Sequence, residues 1–270
     1  MELKDLPIAA LKYFPIERDQ NAFLIPDGQD ADSELGSDGL PIPPPSLLRG
    51  YADSAENYIW AGEINTRGML KVLADSSIEL AVGTRILDFG CGIARMTRQL
   101  ASFAETGEVW GVDISARHIF WCKRHLSPPF RFVTTTTIPH LPFRDGYFGF
   151  VFAGSVFTHI DDLADAWLCE VRRVLAPGGC AYLTVHDEST VELLRGPYSE
   201  HWLKRQLHEN SLFKQNEGRF GMLAIDRAAG LQVFYSRAFF LHMLAQAFDI
   251  VAVVPHAHGY QTAYIVRPRP

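Results

Sequence analysis

Five short runs rich in Val, Ile, Phe and Tyr recur along the middle of the chain: RILDF (85–89), EVWGVDI (108–114), RFVTTT (131–136), FGFVFAGSV (148–156) and CAYLTVH (180–186). Runs of this length and composition predict strands, and the helical spacing between most of them predicts a parallel sheet with helices on both faces. Residues 47–80 predict helices, with Ser54 as an N-cap and apolar positions at Ile59, Ile64, Met69 and Val72. In DDLADAWLCEVRRVLAPGG, Asp161 or Asp162 caps a helix whose apolar stripe is Leu163, Trp167, Val171, Val174 and Leu175, and Pro177-Gly178-Gly179 stops it. The chain closes with a helix at SRAFFLHMLAQAF, a strand at DIVAVVP, a turn around His258-Gly259 and a strand at QTAYIVRP. The short link makes the last two strands antiparallel neighbours. The expected fold is therefore α/β, a doubly wound seven-stranded sheet with an antiparallel last strand.

Two stretches break the pattern. Residues 1–46 carry IPDGQDADSELGSDGLPIPPPS, where acidic residues, Gly and Pro interrupt every period, so they read as a Pro-rich extension, either a docked arm or a disordered leader. Residues 187–233 hold aromatic and basic residues with no clear strand, and an insertion of that length at the C-terminal edge of a sheet reads as a lid or substrate-binding element within a main domain 47–270.

With 47% hydrophobic and 21% charged residues in 270, the composition excludes disorder of the whole chain. A net charge of -6 gives no reason to expect a nucleic-acid partner. Cys91, Cys122, Cys169 and Cys180 form no CxxC pair or zinc-type spacing; they read as reduced thiols, and no metal site is expected. With no apolar core of signal-peptide length and no run of roughly 20 apolar residues, the expectation is a cytoplasmic chain that spans no membrane.

The chemistry concentrates after the first strand. In a doubly wound sheet, ligands bind outside the C-terminal strand ends, and the first strand-to-helix turn is the usual cradle. Gly90 and Gly92, around Cys91, permit a tight turn and close backbone approach, and a helix expected to begin near Ala94 would present free amide donors. A dinucleotide turn wants GxGxxG, yet the third position is Arg95, and Asp88 puts a carboxylate at the mouth of the turn where a pyrophosphate would be repelled and an ammonium attracted. Asp113, ending the second strand, suits a ribose diol; charge-assisted bonds of that kind contribute roughly 1.5 to 3 kcal/mol each. The ligand that satisfies both carboxylates is S-adenosylmethionine.

These segments resemble the class I S-adenosylmethionine-dependent methyltransferases. ILDFGCGIAR is similar to that family's first motif, WGVDIS to its second-strand acidic motif, LPFRDGYFGFVFAGSVFTHI to the segment around its fourth strand, and RVLAPGGCAYLTVH to the helix, turn and fifth strand. The four occur in the correct order over about residues 80–186, and the resemblance implies the Rossmann-like fold. It implies that Asp88, Gly90 and Gly92, with Cys91, line the methionine end of the cofactor and that Asp113 holds the ribose. It sets Ile114 against the adenine, Thr135 to Thr137 (Thr136 and Thr137 chiefly) beside its amino group, and Ser155 and Val156 near the sulfonium. The chain departs from the family in Ala94 for the third loop glycine, TTTT where an Asp often follows the third strand, and Phe148-Gly149 for Phe-Asp.

Methyl transfer needs alignment above all, and a base only if the acceptor must lose a proton. His159, after the fourth strand, is the candidate base or acceptor ligand; the alternative is a structural histidine bonded to Asp161 or Asp162. His186 and Asp187 either face the acceptor or form a polar pair at the strand end. His256 and His258 are expected in a solvated hairpin loop bordering the acceptor; two histidines without a third ligand are weak evidence for a metal. Trp60, Trp202, Phe213, Phe220 and Tyr235 read as core or lid packing rather than a base-stacking platform. Arg95 either caps a cofactor carboxylate or points to solvent. The strings SVFTHI and HGYQTAYIV look like bacterial methyltransferases of sugar and surface-polysaccharide biosynthesis, which implies a small-molecule or glycan acceptor methylated at oxygen. Two readings stand beside this one: a nicotinamide-dependent oxidoreductase, and a non-catalytic protein that binds S-adenosylmethionine.

Overall fold

A computed structural model describes residues 34–48, 50–227 and 230–269, so most of the N-terminal extension, residues 1–33, lies outside the described residues. The elements in chain order are α1 (Ala55–Asp75), β1 (Arg85–Phe89), α2 (Ala101–Thr106), β2 (Glu108–Asp113), α3 (Ala116–His125), β3 (Arg131–Thr134), β4 (Phe148–Ala153), α4 (Ala164–Val174) and β5 (Leu175–Val185). There follow α5 (Glu188–Arg195), α6 (Trp202–Glu209), α7 (Ser211–Asn216), β6 (Met222–Ile225), β7 (Gln232–Tyr235), α8 (Arg237–Leu244), β8 (Phe248–His258) and β9 (Gln261–Pro268). Seven strands make one sheet in the order β3-β2-β1-β4-β5-β9-β8, with β9 antiparallel to both neighbours. This is the expected doubly wound, Rossmann-like α/β architecture.

The chain divides into two compact units, one formed by residues up to Arg67 with Ala81–Pro142, the other by Gly68–Leu80 with Phe143 onward. In the first, β1 and β2 are buried along most of their length because strands of a parallel sheet are covered on both faces. Their register sets Asp88 opposite Gly111 and Phe89 opposite Val112, while Asp113 pairs with Thr134. Ser54 caps α1 as expected, its hydroxyl accepting from Asn57 N at 3.1 Å. Of the predicted apolar face, Ile59, Met69 and Val72 are buried and Ile64 is exposed.

In the second unit the helix expected to stop at Pro177-Gly178-Gly179 ends at Val174, and those residues already belong to β5. A Cβ on Gly179 would stand 2.9 Å from the Gly149 carbonyl oxygen, so Gly179 permits the close approach of two strands. Neither Asp161 nor Asp162 caps α4: Leu163, half-exposed at φ 56°, holds the cap position. Among the described residues, the insertion 187–233 contains three helices, β6 and the start of its antiparallel partner β7, where no strand was expected. Val191, Leu194, Leu203, Leu207, Phe213 and Phe234 bury together in its own small core. Each fully buried Leu or Phe contributes about 1.5–3 kcal/mol, enough to hold so long an excursion together.

Candidate functional site

In the first unit, β1 runs into the glycine turn. The Gly90 and Cys91 amides both donate to the Val112 carbonyl, at 2.8 and 2.9 Å, and the Gly92 amide donates to Asp113 Oδ2 at 2.8 Å. The turn is thus tied to the end of β2. Ser115 N donates to the other Asp113 oxygen at 2.7 Å. The Ile114 amide also faces this carboxylate, and since an ionised carboxylate has about four lone-pair sites, acceptor capacity remains. Gly92, at φ 53°, has no room for a side chain: a Cβ there would lie 2.5 Å from the Tyr51 ring. Tyr51 also meets His118 edge to face, with centroids 5.3 Å apart. Sequence reasoning missed Tyr51, because no spacing rule links a tyrosine following Gly50 to a turn some forty positions later.

Asp88 corrects one expectation. Its carboxylate is buried, 4% exposed, where an open mouth was expected, and Thr97 Oγ1 donates to it at 2.7 Å. Burial pushes its pKa up to about 7, with the Thr97 bond opposing and the nearby Asp113 reinforcing the rise. The helix expected near Ala94 also begins later. Residues 92–96 are turn, a 3-10 segment spans Thr97–Leu100 and α2 follows, while Ala94 itself takes the left-handed conformation at φ 63°. An α-helical N-terminus for a pyrophosphate is therefore missing from this turn, which counts against the nicotinamide reading.

The Asp88 pKa has a measurable consequence. For an acid raised from 3.8 to about 7 in the folded chain, the ionised form is disfavoured; stability is highest below about 4 and falls until pH passes about 7, by an amount on the order of 4 kcal/mol. A cation beside Asp88 offsets that loss. Calorimetry with S-adenosylmethionine in buffers of different ionisation enthalpy is expected to show proton release on binding at pH 6, vanishing by pH 8. An absence of proton release at pH 6 would separate Asp88 from the ligand's positive charge.

Next to Asp113, Ile114 is 43% exposed. Thr135 is buried, its amide donating to the Asp113 carbonyl at 2.9 Å; Thr136 Oγ1 accepts from Ile138 N at 3.2 Å, and Thr137 is exposed. Cys91 is buried, its sulfur filling the space beside Gly111, and burial raises its thiol well above the ordinary range. The side chain of Cys91 therefore packs as a neutral group, leaving only its backbone for ligand contact.

In the second unit, Ser155 takes φ 62° after β4 and its amide donates to Thr184 Oγ1 at 2.7 Å. Gln261 Nε2 donates to Ser155 Oγ at 2.7 Å. Val156 precedes the 3-10 turn Phe157–His159. His159 Nδ1 lies 2.7 Å from the Leu231 carbonyl. A carbonyl only accepts, so the ring proton sits on Nδ1 and Nε2 keeps its lone pair. Desolvation lowers the His159 pKa, so the neutral ring is favoured near neutrality. The alternative bond to Asp161 or Asp162 is not formed: Asp161 pairs with Arg227 at 2.8 Å and Asp162 accepts from Leu163 N.

Asp187 is committed to the fold, since Ser189 N, Thr262 Oγ1, Tyr264 OH and Arg237 all donate to its buried carboxylate. His256 and His258 lie in β8 rather than in a loop; His256 is exposed, whereas His258 is buried. The turn falls one residue later, at Gly259 with φ 64°. Phe213 and Tyr235 are core residues as expected, whereas Trp60 and Trp202 are more than half exposed. Arg95 is half-buried, its backbone pressed against α1 at Gly62. Among the described residues, no group of three or more His, Cys, Asp or Glu is placed to hold a metal, and no helix is long and apolar enough to cross a membrane.

Residues 87–183 match the family described as Methyltransferase domain. The chain is 33% identical over 102 residues to sterol 24-C-methyltransferase erg6 of Schizosaccharomyces pombe, covering 36% of this chain and 26% of that protein. It is 31% identical over 136 residues to the ubiquinone/menaquinone biosynthesis C-methyltransferase UbiE of Burkholderia orbicola, covering 46% and 54%. The chain thus spans about half or less of the length of these curated relatives. Its fold is like that of the PH0226 protein of Pyrococcus horikoshii, with TM-score 0.57, 19% identity and coverage of 83% of this chain and 96% of that one. It is also like the Burkholderia thailandensis 1,6-didemethyltoxoflavin-N1-methyltransferase with bound S-adenosylhomocysteine, with TM-score 0.51, 18% identity and coverage of 85% and 92%. Residues 87–183 thus match a methyltransferase domain, and it is in this segment that the chain is similar to known methyltransferases.

Proposed function

We propose that the protein transfers a methyl group to an oxygen of a small-molecule or sugar acceptor, in the cytoplasm. The observation that carries the methyl-transfer reading is the joining of Asp113 to the glycine turn through Gly92 N. That bond leaves acceptor positions on Asp113 for a ribose diol, while buried Asp88, held by one hydroxyl, gains from a nearby cation. The turn fits S-adenosylmethionine because it sets these carboxylates beside a tight glycine turn, with Gly92 packed against the Tyr51 ring. When bound, S-adenosylmethionine supplies a methyl group activated by a sulfonium leaving group.

On this reading Gly90, Cys91 and Gly92 lend backbone contacts to the methionine end. Tyr51 covers the turn, Ile114 presents an apolar side to the adenine, and Thr136 and Thr137 flank its amino group. Ser155 and Val156 neighbour the reacting methyl, and the insertion 187–233 acts as a lid. His159, with Nε2 bare and Nδ1 held by Leu231, takes the hydroxyl proton of the acceptor. General-base assistance of this kind contributes typically about 10²–10⁴-fold.

Release of S-adenosylhomocysteine from S-adenosylmethionine with hydroquinone or methyl glucoside as probe acceptor tests the reading. His159→Ala is expected to lower kcat about a hundredfold or more at saturating probe and leave cofactor affinity unchanged; an unaltered kcat across pH would remove the base role. A second reading, transfer to carbon, is favoured by the names of the two curated relatives, both C-methyltransferases. Product analysis separates the two, since a methyl ether and a ring methyl give different carbon chemical shifts.

A further inference from the structure

The last residue before the insertion is a histidine whose chemistry remains unused. His186 follows β5 and bridges to Phe234 of β7, with its carbonyl accepting from Tyr235 N at 2.9 Å. Its ring is 1% exposed, tilted on Phe234 at 4.9 Å and stacked on Tyr260 at 5.5 Å. Nε2 lies 3.1 Å from Gln232 Oε1, and since an amide oxygen only accepts, the proton is on Nε2. Nδ1 therefore carries a lone pair, and it is buried without a hydrogen-bond partner. Buried polar atoms are nearly always paired, so an unpaired one calls for a specific partner or role. Burial depresses the ring's pKa to about 3, so it stays neutral and accepts rather than donates at Nδ1.

The surroundings suggest what completes it. Tyr260 contacts His201 at 4.7 Å and Tyr198 at 6.4 Å between ring centroids, and Tyr198 is 41% exposed. A chain of ring contacts thus links exposed Tyr198 through Tyr260 to the buried hydrogen-bond acceptor. Aromatic faces pack against flat rings and against the C–H face of sugars, and a lone pair at their inner end selects a ligand that brings a donor.

We infer that His186 Nδ1 is a specificity determinant of the acceptor site, receiving a hydrogen bond from a hydroxyl carried on a ring, phenolic or sugar. The inference rests on the methyl-transfer reading, and its test separates the two. Calorimetry would use the full chain saturated with S-adenosylhomocysteine and titrated with hydroquinone, methyl glucoside and 1,4-dimethoxybenzene, which lacks a hydroxyl. The wild-type chain is expected to bind hydroquinone or methyl glucoside at least tenfold more tightly than dimethoxybenzene, and the better of the two identifies the ring.

His186→Asn, which keeps an acceptor at the Nδ1 position, should retain that preference. His186→Gln, which keeps only the Nε2 position, should reduce it below threefold. A merely structural histidine would lower the melting temperature in both variants without altering the preference. Equal binding of hydroxylated and methoxylated probes by the wild-type chain, or an intact preference in His186→Gln, would overturn the inference. Failure of S-adenosylhomocysteine itself to bind would instead overturn the methyl-transfer reading.

Discussion

Replacing Arg98 with methionine is expected to lower folding stability by about 3–5 kcal/mol, the cost of breaking a buried ion pair by removing one partner. The Arg98 side chain is fully buried and its Asp38 partner is only 19% exposed. Nε and Nη2 donate to the two Asp38 oxygens at 2.6 and 2.7 Å, and Nη1 and Nη2 also donate to the Pro41 and Leu40 carbonyls at 3.0 Å each. The guanidinium stands over the Tyr58 ring, whose hydroxyl donates to Ile93 O at 2.6 Å. Methionine fills much of the volume but leaves one carboxylate and two carbonyls without these donors. Asp38→Asn keeps an acceptor and both carbonyl bonds, so it should cost less. Denaturant unfolding of both variants checks the order. A loss below about 1 kcal/mol for Arg98→Met would mean that residues 38–41 do not engage Arg98 in solution. Because Arg98 lies one short turn beyond the glycine loop, the same variant should also weaken cofactor binding.

That strap shows where sequence reading stops. The strands were legible because a parallel strand is covered on both faces and reads as a continuous apolar run. Their pairing with intervening helices then leaves few topologies. Asp88 and Asp113 were legible because each ends such a run. The Arg98–Asp38 pair and the Tyr51–Gly92 contact join residues about sixty and forty positions apart, and no local pattern marks them. Glycine misled where it served a second purpose: Gly179, read as part of a helix stop, lets β5 pass close to β4, while Gly178 supplies a backbone turn at φ 77°. The hairpin of the insertion escaped notice because its strands have four residues each, too short for alternation to register. His258 was placed in solvent because HGY resembles a turn, whereas the strand runs on to that residue and the reversal uses Gly259 and Tyr260.

Asp113→Ala is expected to weaken S-adenosylmethionine binding by at least tenfold, and by more than about a hundredfold if both ribose bonds are lost. Each charge-assisted bond contributes roughly 1.5 to 3 kcal/mol, and about 1.4 kcal/mol corresponds to tenfold. The structure adds a second cause to the first. Asp113 Oδ2 also holds Gly92 N, and Oδ1 holds Ser115 N at the start of α3, so alanine releases the glycine turn and the helix entry together. Asp113→Asn separates these effects. Its amide oxygen still accepts one backbone bond, but its NH₂ faces the other N–H, so the turn keeps half its tether while the charge is gone. If ribose recognition dominates, Asn and Ala should weaken binding alike and thermal unfolding should shift mainly in Ala. If the turn's geometry dominates, Asn should recover most of the affinity. Calorimetric dissociation constants for S-adenosylmethionine, read beside melting temperatures of the two variants, decide between them. An unchanged affinity in Asp113→Ala would remove the ribose contact from this carboxylate altogether.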